Sequence, residues 1–243
     1  ALFGDDAAKG FENMTQEDMA LPFVRILGQL SPQVTDGDAK YIDGAKPGMI
    51  YNTVTSECFD GKKGIKVIPC YYKKDYPEWS DRGDGPGAPV AVHLPNSPVI
   101  ATGKRDGSKI RLPNGNYLEE TASYYVMIET KSGGFTPALI TMKSTQLNVS
   151  KKWNSMMKTI QIADGKGGFA IPPMHGVVYN LASTLQKNDK GSWYGWVVTQ
   201  DRILGQADKA LYLSAKDFSG NVSKGTVQTK ADVEEKVSDS TPY

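Results

Sequence analysis

The chain has 243 residues, 39% of them hydrophobic, which is enough for one sizeable core. A formal net charge of +1 excludes a uniformly basic nucleic-acid binder. No apolar run reaches the roughly 18 residues of a bilayer-spanning helix, so no membrane partner is expected.

In chain order, Thr15-Gln16-Glu17-Asp18 predicts a helix start, with Thr15 as N-cap and acids in the first turn. Met19, Leu21, Phe23, Val24, Ile26 and Leu27 supply its apolar surface, and Pro22 shortens or kinks it. Residues 1–45 thus read as an amphipathic arm docked on the main domain, or, in a sharper alternative, as a swapped or partner-binding arm. From Pro47 the character turns to β. Met49–Val54, Gly64–Tyr76, Ala122–Thr130 and Pro137–Met142 are rich in β-branched and aromatic residues and bounded by Gly, Asp and Asn clusters. Residues 80–115 predict a long loop with at best short strands.

Ser144-Thr145 opens a second helix, in which Val149, Trp153, Met156, Met157 and Ile160 recur at helical spacing. Strands over Met174–Thr184 and Trp193–Val198 follow, joined by a turn at Lys187–Gly191, and Ala207–Phe218 predicts a last helix. Residues 221–243 lack large apolar side chains and read as a flexible polar tail. The fold class expected over 46–220 is mainly β (α+β). It is an OB-like barrel with long loop insertions and accessory helices at both ends, and a β-sandwich fits the same pattern.

Cys58 and Cys70 are the only cysteines and His93 and His175 the only histidines, with no zinc-type spacing among them. The opening Ala1-Leu2-Phe3-Gly4-Asp5-Asp6 lacks a basic flank and an apolar run, so no secretory signal is expected and both thiols read as reduced. Gly83-Asp84-Gly85-Pro86-Gly87 precedes no helix and Asp36-Gly37-Asp38 lacks a closing Glu, so neither marks a cofactor or calcium loop. No cofactor is expected.

Charge is polarised rather than absent. No acid occurs between Lys131 and Ala163, whereas Lys131, Lys143, Lys151, Lys152 and Lys158 do. Alternation along Gly64–Tyr76 places Tyr72, Lys74 and Tyr76 on one side with Lys66, Ile68 and Cys70, and Ile65, Val67, Pro69 and Tyr71 on the other, core-facing side. Rings interleaved with cations suit single-stranded nucleic acid: each stacked base is worth about 1–3 kcal/mol, and lysine–phosphate contacts add counterion release. The interface expected on these grounds comprises Tyr72, Lys73, Lys74, Tyr76, Trp79, Arg82, Lys104, Arg105, Lys143, Lys151, Lys152 and Trp153, with core packing the competing reading for Trp153.

Two other readings stay open. Val126–Lys131 ends in Glu129-x-Lys131, a pattern that metal-dependent nucleases use with an upstream acid such as Asp75, Glu78, Asp81 or Asp84. A β-rich structural or interaction protein without a nucleic-acid role fits the loops and tail equally well.

Gly48–Thr53, Lys66–Tyr72, Leu112-Pro113-Asn114-Gly115-Asn116-Tyr117, Pro137–Gln146 and Trp153-Asn154-Ser155-Met156 resemble a divergent family of phage replicative single-stranded-DNA-binding proteins, over residues 12–220. The resemblance implies a non-enzymatic OB-fold that coats and protects single-stranded DNA during phage replication, in the cytoplasm of the infected host cell. Phage replication proteins are further candidate partners. Many single-strand binders end in an acidic tail, but Lys224, Lys230 and Lys236 interrupt this one, which makes duplex DNA another candidate partner through the tail lysines.

Overall fold

The computed structural model describes residues 9–14, 19–81, 89–189 and 191–227. Extended structure begins earlier than the sequence predicts. Val24–Ile26 forms β1, antiparallel to β2 (Ile50–Asn52), which also pairs with β3 (Cys58–Phe59). The amphipathic helix expected there is replaced because Pro22 and the β-branched Val24 and Ile26 favour extended backbone. The strand also delivers Val24 and Leu27 to the core. The predicted N-cap region, 15–18, lies outside the described residues.

The organising element is β4 (Ile65–Trp79), a 15-residue strand. After it come β5 (Ala91–His93), the short helix α1 (Pro98–Thr102), β6 (Lys104–Asp106), β7 (Lys109–Arg111), β8 (Tyr117–Glu119), β9 (Thr121–Glu129) and β10 (Phe135–Lys143). Helix α2 (Leu147–Thr159) precedes a small hairpin, β11 (Ile162–Ala163) with β12 (Phe169–Ala170). A long hairpin, β13 (Val177–Asn188) with β14 (Gly191–Ile203), leads to α3 (Lys209–Ser223).

Nine of these strands form one sheet, curled into a half-barrel of the OB-like kind. β4 serves two parts of it. Its first half pairs with β9 on one side and β13 on the other. Its last residues pair with β5 and β8, and β8 continues through β7 to β6. The described residues of 80–115, expected as a long loop with at best short strands, do carry three short strands, and register joins them with β8 into a β arm grown from the end of the central strand.

Each face of the barrel sheet is covered by one helix. Trp153, Met157 and Ile160 of the α2 region fill the concave side with Val67, Tyr124, Val126, Ile140 and Leu181. Ala215, Phe218 and Val222 of α3 cover the convex side against Ile68, Cys70, Tyr125, Met127 and Leu139. A truncation that spares this core must begin after Val227, which still packs on the convex cluster.

Gly48 adopts φ +89°, and a Cβ there would run into the Tyr194 ring. Its carbonyl also accepts from the Ser183 hydroxyl, so the close approach of the β13–β14 hairpin to the start of β2 depends on glycine. Both cysteines are free thiols. Burial pushes the Cys70 thiol up to about 12.

Candidate nucleic-acid interface

The pairing of β4 with β9 slips by one residue between Pro69 and Tyr71. Pro69 has no N–H for the ladder, and a bulge is where a central strand tolerates proline. The extra residue, Cys70, reverses the alternation downstream. Tyr71 stays with Ile68 and Cys70 on the convex side, edge-on to Tyr125 at 6.2 Å. Tyr72 joins Ile65 and Val67 on the concave side, 5.1 Å from the Tyr124 ring. The faces assigned from strict alternation are thus exchanged after the bulge.

The consequence is that the expected interface divides. Tyr72, Lys74 and Tyr76 point to the barrel side of β4. Tyr76 is only 8% exposed and packs with Ile110, Leu112 and Leu118 rather than presenting a ring to solvent. Lys74 pairs with Glu120 at 2.8 Å. Trp153 is fully enclosed, stacked on Tyr124 at 4.3 Å and edge-on to Tyr179 at 5.6 Å, so it is core and not a ligand platform. The Tyr124 hydroxyl bonds the Ser150 and Asn154 side chains and pins α2, which leaves Lys151 and Lys152 exposed on that helix. Arg105 is exposed but lies opposite the buried Ile110, on the side of the arm away from Trp79. Arg82 lies outside the described residues.

The remaining four expected residues, Lys73, Trp79, Lys104 and Lys143, share the other side of β4 and the arm. Trp79 lies opposite Tyr117, Tyr117 opposite Arg111, and Arg111 opposite Lys104. Directly paired residues project to the same face, so two aromatic rings and two cations form one row across four strands. The Lys109 ammonium sits 3.9 Å from the Tyr117 ring centroid and the Arg111 guanidinium 5.6 Å from it, which fixes both on that face. Tyr117, Lys109 and Arg111 belong to this surface although ring-and-lysine interleaving within one strand did not single them out. Only the cross-strand register brings them beside Trp79.

The cations are held by carboxylates: Arg111 by Asp81 and Asp106, each at 3.3 Å, Lys143 by Glu119 at 3.2 Å and Lys73 by Asp75 at 3.1 Å. Such pairs are worth about 0–1 kcal/mol where exposed. The Arg111 partners are exposed, so that cation is positioned at little cost to an exchange for phosphate, whereas Asp75 is buried and Glu119 largely so, which holds Lys73 and Lys143 more firmly.

Behind the row, the arm is anchored by Glu78, 7% exposed. One carboxylate oxygen accepts from Asn116 at 2.6 Å and Asn114 at 3.2 Å, and the other meets His93 Nε2 at 2.7 Å. These bonds, Asn116 first and His93 second, hold its carboxyl below the ordinary value of 4.5. A depressed carboxyl adds stability above the unfolded value and loses it as pH falls through the folded one. Urea unfolding midpoints are therefore expected to fall as the pH is lowered through and below the ordinary carboxyl range, and Glu78→Gln to remove part of that fall. Equal acid sensitivity in both proteins would contradict the clamp.

A family model described as Pam3 phage gp34-like protein matches residues 2–228. The chain belongs to this phage protein family. No curated protein and no solved structure matched significantly. The phage kinship expected from the resemblance therefore holds at the level of the family.

The segments that carried the resemblance now have structural roles. Asn114 and Asn116 clamp Glu78, Gln146 Oε1 accepts from the Trp196 N–H at 2.9 Å, and Trp153 and Asn154 hold α2 to β9. Tyr117 alone among these places a ring on the candidate surface.

The nuclease pattern fares differently. Glu129 ends β9 at the Val67 end of β4, whereas Asp75 pairs with Thr121 at the opposite end. The strand from Thr121 to Glu129 is about 27 Å long at about 3.4 Å per residue. Glu78 lies further still along β4, Asp81 follows its end, and Asp84 is outside the described residues. Lys131 instead sits 5.7 Å from the Phe59 ring centroid. Among the described residues no group of three His, Cys, Asp or Glu side chains could hold a metal, and no helix is long and apolar enough to cross a membrane.

Proposed function

We propose that this protein binds single-stranded DNA with little sequence preference and coats it during replication of a phage genome. The observation that carries the reading is the row Trp79–Tyr117–Arg111–Lys104 on one face of the arm. Trp79 offers its ring to a base, Tyr117 does so once Lys109 leaves its face for a phosphate, and the cations on the other side of the row meet the phosphates. Two stacked bases supply about 2–6 kcal/mol at about 1–3 each, against about 4–15 kcal/mol lost on association. Phosphate contacts from Lys104, Lys109 and Arg111, extended by Lys73 and Lys143, supply the rest through counterion release. This mode of recognition reads no base edge, and it transforms nothing: the protein acts as a binder rather than an enzyme.

On this reading the protein works in the cytoplasm of the infected host, with phage replication proteins as partners. Duplex contact through Lys224 and the lysines beyond it is a further part of the proposal. The test is a fluorescence titration with oligothymidylate at low salt and without Mg²⁺. Trp153 and Trp196 are buried, Trp79 and Trp193 are half-exposed, and of these two only Trp79 lies on the row. Binding should therefore quench emission, and Trp79→Phe should remove much of the quench while Trp193→Phe should not. No quenching and no binding at low salt would overturn the proposal.

A further inference from the structure

Between Lys131 and Asp189 the sequence has a single acid, Asp164. Its carboxylate is engaged within the turn that joins β11 to β12, where Oδ1 accepts the backbone N–H groups of Lys166 at 2.8 Å and Gly168 at 2.9 Å. Lys151, Lys152, Lys158 and Lys166 are exposed, and among the described residues none of them pairs with a carboxylate. The arm is built differently, since Arg111, Lys73 and Lys143 are each held in an ion pair. With Ser150, Trp153 and Met157 turned to the core, Lys151, Ser155 and Lys158 follow one another at i, i+4 and i+7 along the exposed side of α2. That line ends where the chain turns into β11.

The hairpin there presents a ring. Phe169 is 74% exposed, the most exposed large hydrophobic side chain among the described residues. Ile162 pairs with Ala170 and Ala163 with Phe169, so the two pairs project to opposite faces. Ile162 is half-buried and turns its face to the body of the protein, whereas Ala163 and Phe169 are both exposed on the other. Five residues lead from Lys158 to Ala163, at most about 17 Å of chain. Phe169 stands directly across from Ala163, so the helix lysines and the ring lie within the span of a few nucleotides.

We propose that the exposed side of α2 and the β11–β12 hairpin form a second contact surface for single-stranded DNA, where Phe169 stacks on a base and Lys151, Lys152, Lys158 and Lys166 meet phosphates. The inference rests on the single-strand reading above and extends it to elements that share no strand with the arm. Charge selects the occupant: these cations have no acidic partner in the fold, and a polyanion supplies one with release of counterions. The ring then selects among polyanions. A duplex keeps its base faces inside the stack, whereas a single strand can turn one out onto an aromatic side chain.

The test titrates the full chain with labelled oligothymidylate of about 16 nucleotides, the upper end of an OB-fold footprint, and with an abasic oligomer of the same length. Phe169→Ala is expected to weaken oligothymidylate binding by about 5- to 150-fold and to leave abasic binding unchanged. Lys158→Ala combined with Lys166→Ala should weaken both, with a slope of log K against log salt concentration shallower by about 1.4. All three side chains are exposed, so urea midpoints should match the parent's. If the parent binds oligothymidylate and these variants bind it equally well, this surface falls while the single-strand reading stands. If the parent binds none, both fall. A Phe169→Ala loss of equal size for thymidylate and abasic DNA would also overturn the proposal, because the ring would then not be stacking on bases.

Discussion

Replacing Trp79 or Tyr117 by alanine is expected to weaken oligothymidylate binding by about 5- to 150-fold, the equivalent of about 1–3 kcal/mol for one stacked ring. Both rings are half-buried, on a face whose inner neighbours are Glu78 and Leu118, so the strand keeps its core contacts after either truncation. The two rings are cross-strand neighbours, so the double variant should cost less than the sum of the singles. Tyr72→Ala provides the contrast. Tyr72 packs on Tyr124 and the concave cluster, so its loss is expected to lower stability more than affinity. Binding isotherms with a short oligomer, alongside urea unfolding of each variant, separate the outcomes. Unchanged affinity in both Trp79→Ala and Tyr117→Ala would remove the arm face from the interface.

The second large effect concerns the core. Trp153→Ala is expected to destabilise the protein by about 3–5 kcal/mol, the range for truncating a fully buried aromatic. Trp153 stacks on Tyr124 and meets Tyr179, and Tyr72 leans on Tyr124 from the other side, so one truncation opens a cavity in a chain of four rings. Helix α2 loses its largest contact with the sheet, although the hydrogen bonds of Tyr124 to Ser150 and Asn154 can persist. Urea denaturation measures the loss. At temperatures where the variant is folded, its affinity for oligothymidylate should match that of the parent. An intact stability with lost affinity would mean that Trp153 is reached by the ligand after all.

The contrast between these two tryptophans shows what the sequence could convey. The strands over 122–130 and 137–142, the second helix with its Val149–Trp153–Met157 stripe, and the hairpin before the last helix were all legible, because periodicity reports which side of an element is buried. Two things were not legible. The reversal at Cys70 depends on a bulge, and alternation read through a bulge assigns the wrong side to every later residue. Pro69 was the signal available for it. The arm was hidden because its strands are three residues long and rich in Gly, Asp, Arg and Asn at and between them, which predict loop. What stabilises it is tertiary: the buried carboxylate of Glu78 gathers His93, Asn114 and Asn116 from positions far apart in the chain. The candidate surface could not be found from spacing, since Trp79, Tyr117, Arg111 and Lys104 become neighbours only through strand register. β1 was missed for the opposite reason, because Phe23, Val24, Ile26 and Leu27 satisfy a helical stripe as readily as a short strand.

The most direct test of the central claim is the salt dependence of oligothymidylate binding, compared between the parent protein and the double variant Arg111→Ala, Lys104→Ala. If the row on the arm meets the phosphates, the parent's log K falls linearly with log salt concentration. The double variant should then bind more weakly at low salt, with a slope shallower by about 1.4, from about 0.7 for each phosphate contact removed. An identical slope and affinity in the two proteins would contradict the account.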